Sequence, residues 1–246
     1  MIRASWRISR AVVHGLHGAA ICAVVFPFLD AAGRMQRVRW WSHRMLAVLG
    51  IELEPSGMPR AGPVLVAANH ISWLDILAIN AVQPVRFVSK SDVRRWPLLG
   101  YLVASAGTLF IERERKRDAM RVVHQMAEAL REGHIVAVFP EGTTGDGPTL
   151  LPFHANLLQA AVATGSHVQP LVLRFSDPRS PYSDAPLYLG ETSLVESIWA
   201  VARTRGLRAH VTLLDPIESA ELDRRALAQR LREAIESALP PHPGRG

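Results

Sequence analysis

The segment NHISWLD, from Asn69 to Asp75, places an imidazole and a carboxylate five residues apart within an otherwise apolar stretch. A carboxylate that accepts the Nδ1–H of a histidine holds the ring in one tautomer and leaves Nε2 free to accept a proton. His70 and Asp75 are therefore candidates for a general base and the group that orients it. The same spacing also fits a capping box, in which the Ser72 hydroxyl accepts a backbone amide and Asp75 accepts the Ser72 amide. A carboxylate has enough lone pairs to serve in both roles.

A second polar segment, FPEGTTGDGPT, extends from Phe139 to Thr149. Its glycines at 142, 145 and 147 would let backbone amides approach a ligand oxygen closely. The segment lacks the Gly-Lys-Ser/Thr of a P-loop, and the chain has no GxGxxG fingerprint, so nucleotide binding is disfavoured. A plain surface turn remains the alternative.

A third segment, GTLFIER, ends in Arg113 just beyond an apolar run. Its guanidinium could pair with a phosphate or carboxylate through two hydrogen bonds. The charged residues 112 to 117 could equally form a solvated stretch at the start of a helix.

Nucleophiles and metal ligands are not evident elsewhere in the sequence. Cys22 is the only cysteine and has no neighbouring base, and no GxSxG motif is present. The ten histidines do not cluster with the spacing of metal ligands. We therefore expect neither a metal site nor a cofactor.

The elements that must position these residues are predicted from hydrophobic periodicity. After Ile51, short apolar runs bounded by turn residues alternate with stretches of helical period, which indicates an α/β fold. NHISWLD follows a predicted strand, Val64 to Ala68, and FPEGTTG follows another, Ile135 to Phe139; ligands usually bind at such carboxyl ends. We predict a single α/β domain over residues 51–240, with a mixed, mostly buried sheet flanked by helices, and a flexible tail at 241–246.

The amino terminus has the composition of a membrane-associated region. Residues 11–29 carry no formal charge and approach the length of about 20 residues needed to span a bilayer. Residues 33–50 combine four arginines with Trp40 and Trp41, which is typical of an interfacial helix. We predict that residues 1–50 form a membrane-associated helical pair on the cytoplasmic face of the cell membrane. A signal peptide and a buried core helix are the alternatives.

Composition limits the classes of partner. The chain has 246 residues, 48% of them hydrophobic, and a formal net charge of +6 in which only Lys90 and Lys116 are lysines. An acidic partner is expected: an anionic membrane, a phosphorylated substrate or nucleic acid. Trp40 and Trp41 adjoin an apolar region rather than alternating with basic residues along a sheet, so we predict no nucleic-acid partner.

These segments together resemble the glycerolipid acyltransferase family, whose type member is 1-acylglycerol-3-phosphate acyltransferase. NHISWLD resembles its N-H-x4-D block, GTLFIER its G-x-x-F-I-x-R block, FPEGTTG its F-P-E-G-T-R block and VQPLVL its apolar block with proline. The resemblance implies that His70 and Asp75 are catalytic and that Arg113, Glu141 and Gly142 bind the acceptor. From the same blocks we also assign four residues to substrate binding: Asn69, Ser72, Phe110 and Thr143.

The chain departs from the family pattern at Thr144, where the phospholipid-precursor enzymes usually have Arg, and at His154, where Lys often follows. Thr cannot supply a cationic fork, so binding of a phosphate monoester should be weaker unless Arg113 compensates. FPEGTTGDG looks more like the loop of the lyso-ornithine-lipid and lysophospholipid branches. The acceptor is therefore left open.

The resemblance implies a membrane-associated O-acyltransferase that moves an acyl chain from acyl-CoA or acyl carrier protein to a lysolipid hydroxyl. An acyl thioester is already activated, so a base, an orienting carboxylate and oxyanion donors near Gly142 suffice. A thioester hydrolase acting through the same base is one alternative. A non-catalytic basic protein that binds membranes or nucleic acid is the other.

Overall fold

The computed structural model describes residues 1–111 and 116–241. Its seven strands form one sheet in the order β1-β7-β6-β2-β5-β3-β4. The strands are β1 (Ile51–Ser56), β2 (Val64–Ala68), β3 (Arg86–Lys90), β4 (Leu109–Ile111), β5 (Ile135–Val138), β6 (His167–Ser176) and β7 (Leu207–Leu213).

The sheet is mixed. Strands β2 to β6 are parallel to one another, while β1 and β7 are parallel to each other and β7 is antiparallel to β6. Every residue of β2 is buried, because helices cover both faces of the sheet centre. The predicted α/β class and mixed sheet are confirmed.

Eight α-helices are described: α1 (Ile2–Ala20), α2 (Ala31–Leu49), α3 (Leu74–Val82), α4 (Leu99–Ser105), α5 (Lys116–Arg131), α6 (Gln159–Thr164), α7 (Leu194–Arg203) and α8 (Arg224–Ala238). On one face of the sheet the core contains Leu46 of α2, Leu74 of α3 and Val201 of α7. On the other face it contains Met126 of α5 and Leu231 of α8.

The amino-terminal helix α1 continues through a π-helical turn and a 3-10 turn to Phe28. Residues Ile2–Phe28 form a helix whose most apolar 18-residue window has a mean hydropathy of 1.8, so it is long and apolar enough to cross a membrane by length and composition. Only 28% of its most apolar window is buried. Its large exposed hydrophobic side chains are Ile2, Trp6, Val12, Val13, Leu16, Val24 and Phe28.

Helix α2 runs back beside α1, and the two are joined by reciprocal hydrogen bonds. Trp41 Nε1 donates to the His14 carbonyl at 3.0 Å, and His14 Nε2 lies 3.0 Å from the Trp41 carbonyl. The two rings stack with their centroids 5.2 Å apart. Gly18 permits this approach, since a Cβ there would collide with the Trp41 indole nitrogen. The hairpin is therefore a specifically packed unit.

One buried arginine fastens α1 to the rest of the molecule. Arg7 is 7% exposed, and its Nη1 donates to the carbonyls of Ala202 at 3.0 Å and Thr204 at 2.8 Å. These carbonyls lie at the end of α7, where helical carbonyls lack intrahelical partners. Arg7 thus caps α7 from another element.

Candidate active site

The predicted base lies in the loop between β2 and α3, and its orienting carboxylate lies in the first turn of α3. His70 Nδ1 lies 2.7 Å from Asp75 Oδ2, and the same oxygen accepts the amides of Ile71 at 2.6 Å and Ser72 at 2.9 Å. Because an ionised carboxylate only accepts, the proton of a neutral His70 ring belongs on Nδ1. Nε2 then has a free lone pair.

The predicted capping box is only half formed. Asp75 accepts the Ser72 amide, as expected, but the Asp75 amide donates to the Ser72 carbonyl at 3.1 Å rather than to its hydroxyl. Within residues 1–111 and 116–241, Ser72 Oγ and Asp75 Oδ1 are buried without a hydrogen-bond partner. The acid therefore bonds both the ring and the loop backbone, so the two interpretations of this motif are compatible.

A second carboxylate, Glu141, holds the main chain of His70. Its Oε1 accepts the His70 amide at 2.8 Å and its Oε2 accepts the Leu151 amide at 2.8 Å. The Gly145 amide donates to the His70 carbonyl at 2.7 Å. The segment from Phe139 to Leu151, here called the Glu141 loop, thus binds both polar groups of the His70 backbone.

Glu141 is only 4% exposed, and burial raises the pKa of this carboxyl. The amides of Leu151 and His70 oppose that rise because they favour the charged form. The two hydrogen bonds therefore offset part of the cost of burying the carboxylate.

Aromatic stacking fixes the plane of the His70 ring. The ring lies on Phe139 with centroids 3.9 Å apart and planes 11° apart, and Phe139 stacks in turn on Phe87 at 5.8 Å. The His70 side chain is 19% exposed. The imidazole is thus held by Asp75 at one edge and by Phe139 on one face, and it is still reached by solvent.

Asn69 connects this loop to β6. Its Nδ2 donates to the Leu173 carbonyl at 2.9 Å, and its Oδ1 accepts the Leu173 amide at 2.7 Å. The side chain is buried, and both halves of its amide group are engaged. Leu173 belongs to the VQPLVL block, so the first and fourth sequence blocks meet through this pair. Sequence analysis assigned no role in the site to Leu173 or to Phe87, which lies behind Phe139, because both residues belong to segments distant from His70 in the sequence.

The other predicted residues are distributed along the carboxyl ends of the strands. Gly142 has a φ of +73°, and its amide donates to the Phe139 carbonyl at 3.0 Å. Thr143 is exposed at the same turn, and the Thr144 hydroxyl donates to the Tyr188 carbonyl. Phe110, on β4, lies under the Arg94 guanidinium at 5.7 Å. Arg113 lies outside the described residues.

Metal ligation has no structural counterpart in the part of the chain that the structure describes. No group of three or more His, Cys, Asp or Glu side chains in residues 1–111 and 116–241 is placed to hold a metal ion. The site contains an imidazole whose Nδ1 is bound by Asp75, an arrangement that suits proton transfer at Nε2.

Comparison with known proteins gives a consistent result. The family model described as Acyltransferase matches residues 51–174. The chain is 38% identical to a lyso-ornithine lipid O-acyltransferase of Pseudomonas aeruginosa, over 87% of this chain and 82% of the relative. It is 37% identical to a 1-acyl-sn-glycerol-3-phosphate acyltransferase of Neisseria meningitidis, over 79% and 77% of the two chains.

The fold has a counterpart among solved structures. The crystal structure of the 1-acyl-sn-glycerophosphate acyltransferase PlsC from Thermotoga maritima superposes with a TM-score of 0.66 over 95% of this chain and 96% of that one. The sequence identity is 20%. This likeness concerns the fold.

Proposed function

Since the chain belongs to the Acyltransferase family, we propose that it moves a fatty acyl chain from an acyl thioester to a lysolipid hydroxyl through His70 and Asp75. The names of its relatives support a lysolipid acyltransferase. The observation that carries the assignment of roles is the 2.7 Å contact between His70 Nδ1 and Asp75 Oδ2, which favours the tautomer with its proton on Nδ1.

In the proposed reaction, His70 Nε2 accepts the proton of the lysolipid hydroxyl as its oxygen attacks the thioester carbonyl carbon. Asp75 stabilises the imidazolium that forms. When the tetrahedral intermediate collapses, the carbon–sulfur bond breaks, and the thiolate leaves and takes the proton from His70. No covalent enzyme intermediate is needed.

The negative oxygen of that intermediate needs hydrogen-bond donors. We assign this role to the backbone turn at residues 142–144, which the positive φ of Gly142 exposes. The Gly142 amide already donates to Phe139, so the amides after it are the better candidates.

Glu141 and Asn69 are positioning residues in this proposal. Glu141 holds the His70 amide at 2.8 Å, and Asn69 holds the Leu173 backbone at 2.7 and 2.9 Å. Both side chains are buried and engage main-chain groups, which supports a role in fixing the loop that carries the base. Contact with the acceptor is left to Arg113, Ser72, Phe110 and Thr143.

The acceptor is proposed to be a lysolipid such as lyso-ornithine lipid or 1-acylglycerol-3-phosphate. The Thr144 hydroxyl donates to a backbone carbonyl and adds no positive charge, which favours an acceptor without a phosphate monoester. The name of the Pseudomonas aeruginosa relative points the same way. Acyl-CoA and acyl carrier protein are both retained as donors.

We further propose that residues 1–50 embed in the cytoplasmic face of the cell membrane. The helix from Ile2 to Phe28 exposes seven large apolar side chains, and it is suited to a bilayer by length and composition. A lysolipid acceptor resides in that membrane, so this placement would bring the base to its substrate.

The test supplies labelled long-chain acyl-CoA or acyl carrier protein together with a panel of lysolipids. Label should move into a two-chain lipid, and His70→Ala should lower the rate at least roughly a thousandfold, or about 4 kcal/mol. His124→Ala is the control, because that histidine is exposed on α5. Normal turnover in a folded His70→Ala variant would reject the base, and label released only as free fatty acid would identify a thioester hydrolase.

A further inference from the structure

A second histidine–carboxylate pair lies on the sheet, between His210 of β7 and Glu54 of β1. Side chains alternate between the two faces of a strand, and in β7 the odd-numbered residues from Leu207 to Leu213 are buried in the core. The even-numbered residues therefore face the other way. His210 pairs in register with Glu54 of β1 and with Arg174 of β6, so three polar side chains form a row.

The two ring nitrogens of His210 have different partners. Nδ1 lies 2.9 Å from Glu54 Oε2, and Nε2 lies 2.7 Å from the hydroxyl of Ser176, two residues beyond Arg174 on β6. Because the carboxylate only accepts, Nδ1 carries the proton and Nε2 accepts the Ser176 O–H. This is the order of groups that activates a serine nucleophile, and such an arrangement is recognised by geometry rather than by position in the sequence.

The carboxylate of this row is itself fixed. Glu54 Oε1 lies 3.2 Å from Arg208 Nη1, while Oε2 is bonded to His210. Burial lowers the pKa of His210, as do Arg174 and Arg208, and Glu54 opposes them. The neutral imidazole, which is the form able to take a proton from a hydroxyl, is therefore favoured near neutral pH.

A cavity of about 370 Å³ adjoins the row. Its lining includes Glu54, Arg174, His210 and Thr212; Ser176 is not a lining residue, is 8% exposed, and touches the lining through its hydrogen bond to His210. Arg174 Nη1 donates to the Pro181 carbonyl at 2.7 Å, and the remaining guanidinium donors can meet a carbonyl oxygen or an anion. The volume is at the small end of the range for ligand sites, so only a compact ligand would fit.

We propose that Ser176, His210 and Glu54 form a second, nucleophilic site that hydrolyses small acyl esters or thioesters. Ser176 Oγ attacks the carbonyl carbon and gives its proton to His210 Nε2. The ester or thioester bond then breaks, and the leaving alcohol or thiol takes that proton. Water, deprotonated by His210, cleaves the acyl-serine, which releases the acid and restores the hydroxyl.

This site shares no residue with the proposed acyl-transfer site, so the two proposals can fail independently. The full chain carrying His70→Ala is treated with diisopropyl fluorophosphate, and the modified peptide is identified by mass spectrometry. Hydrolysis of 4-nitrophenyl acetate is measured on the same protein. We expect phosphorylation at Ser176, and hydrolysis that Ser176→Ala removes.

His210→Gln should slow the labelling of Ser176 roughly tenfold or more, and so should Glu54→Gln, at the more exposed of the two residues. Ser5→Ala, at an exposed position of α1 outside the cavity lining, should leave labelling unchanged. Absence of label on Ser176 in the folded protein, labelling of His210→Gln and Glu54→Gln as fast as that of the parent, or hydrolysis that survives Ser176→Ala would each overturn the proposal. Circular dichroism of every variant establishes that the fold is intact.

Discussion

At the scale of single residues, the proposed acyl-transfer site contains two buried carboxylates with different geometry. Asp75 contacts the edge of the His70 ring at 2.7 Å, whereas Glu141 contacts the His70 amide at 2.8 Å and not the ring. The first arrangement selects a tautomer, and the second fixes where the residue lies in the loop. The two acids should therefore respond differently to amide substitution.

Glu141→Gln provides that distinction. A glutamine has one carbonyl oxygen and one amino group, so it can accept only one of the two N–H groups that Glu141 now accepts. The other buried N–H would face the glutamine amino group and lose its hydrogen bond, which should lower the free energy of unfolding by about 1–3 kcal/mol. We expect a lower free energy of unfolding in urea and a lower kcat, with the KM for the lysolipid nearly unchanged.

Glu128→Gln is the matched control, because the Glu128 side chain is 55% exposed on α5 and its substitution should change neither quantity. The opposite pattern in Glu141→Gln, a raised KM with unchanged kcat and stability, would instead indicate that Glu141 binds the acceptor directly.

At the scale of elements, Arg7 supplies two hydrogen bonds between α1 and the end of α7. Arg7→Met would keep much of the apolar stem but leave the carbonyls of Ala202 and Thr204 without this donor. The loss of hydrogen bonds from a buried charged group should cost about 1–3 kcal/mol. Hydrogen exchange should accelerate in α1 and at the end of α7.

Arg10→Met removes the same charge from an exposed position of α1 and should leave exchange unchanged. Equal protection of α1 in both variants would show that Arg7 does not hold the helix.

Much of this element structure could be predicted from local pattern. The apolar runs identify β2 as Val64–Ala68 and place the start of β5 at Ile135, and the α/β class follows from their alternation with helices. What could not be predicted is the pairing of segments far apart in the chain. Asn69 meets Leu173 across 104 residues, and the antiparallel β7 lies beside β6, through contacts that leave no local signature.

The same limit applies within the site. The spacing of His70 and Asp75 predicts a pair, and the two residues do make contact. Spacing cannot distinguish a glutamate that binds a ligand from one that binds a backbone amide. It also cannot show that the Ser72 hydroxyl is left out of the capping box, because that depends on the path of the loop.

At the scale of the whole molecule, the exposed apolar face of α1 predicts how the protein meets a bilayer. Val13 is 66% exposed and Leu16 57% exposed, so replacing both with Asp should not disturb the core. Binding to phosphatidylglycerol vesicles should fall roughly tenfold or more, as measured by co-sedimentation, because two apolar contacts are lost and charge repulsion is added.

Met58→Asp is the control, because Met58 is 83% exposed in the segment between β1 and β2. If the double variant binds vesicles as well as the Met58→Asp variant does, this face of α1 is not the membrane contact.

Stability should fall as the pH is lowered from about 7 to 5. Burial lowers the pKa values of His134 and His210 below their ordinary value. Below about pH 6.5 the unfolded chain therefore binds more protons at these two sites than the folded chain does. Their contribution to stability is complete above that pH and is lost as the pH falls through the folded-state pKa values.

Thermal melting across this pH range measures the effect. The variant His134→Gln with His210→Gln should have a shallower slope than the parent, and the exposed His124→Gln should have the parent's slope. Parallel slopes in all three proteins would contradict this assignment of the titrating groups.

The long-range hydrogen bonds that hold Asn69 and the His70 backbone also bear on folding during translation. The Glu141 partner of the His70 amide lies 71 residues further along, and the Leu173 partner of Asn69 lies 104 residues beyond Asn69. A polypeptide emerging from the ribosome delivers these partners long after the imidazole itself. Until then the loop that carries His70 lacks both partners, so we expect that a partly translated chain cannot yet carry out the proposed acyl transfer.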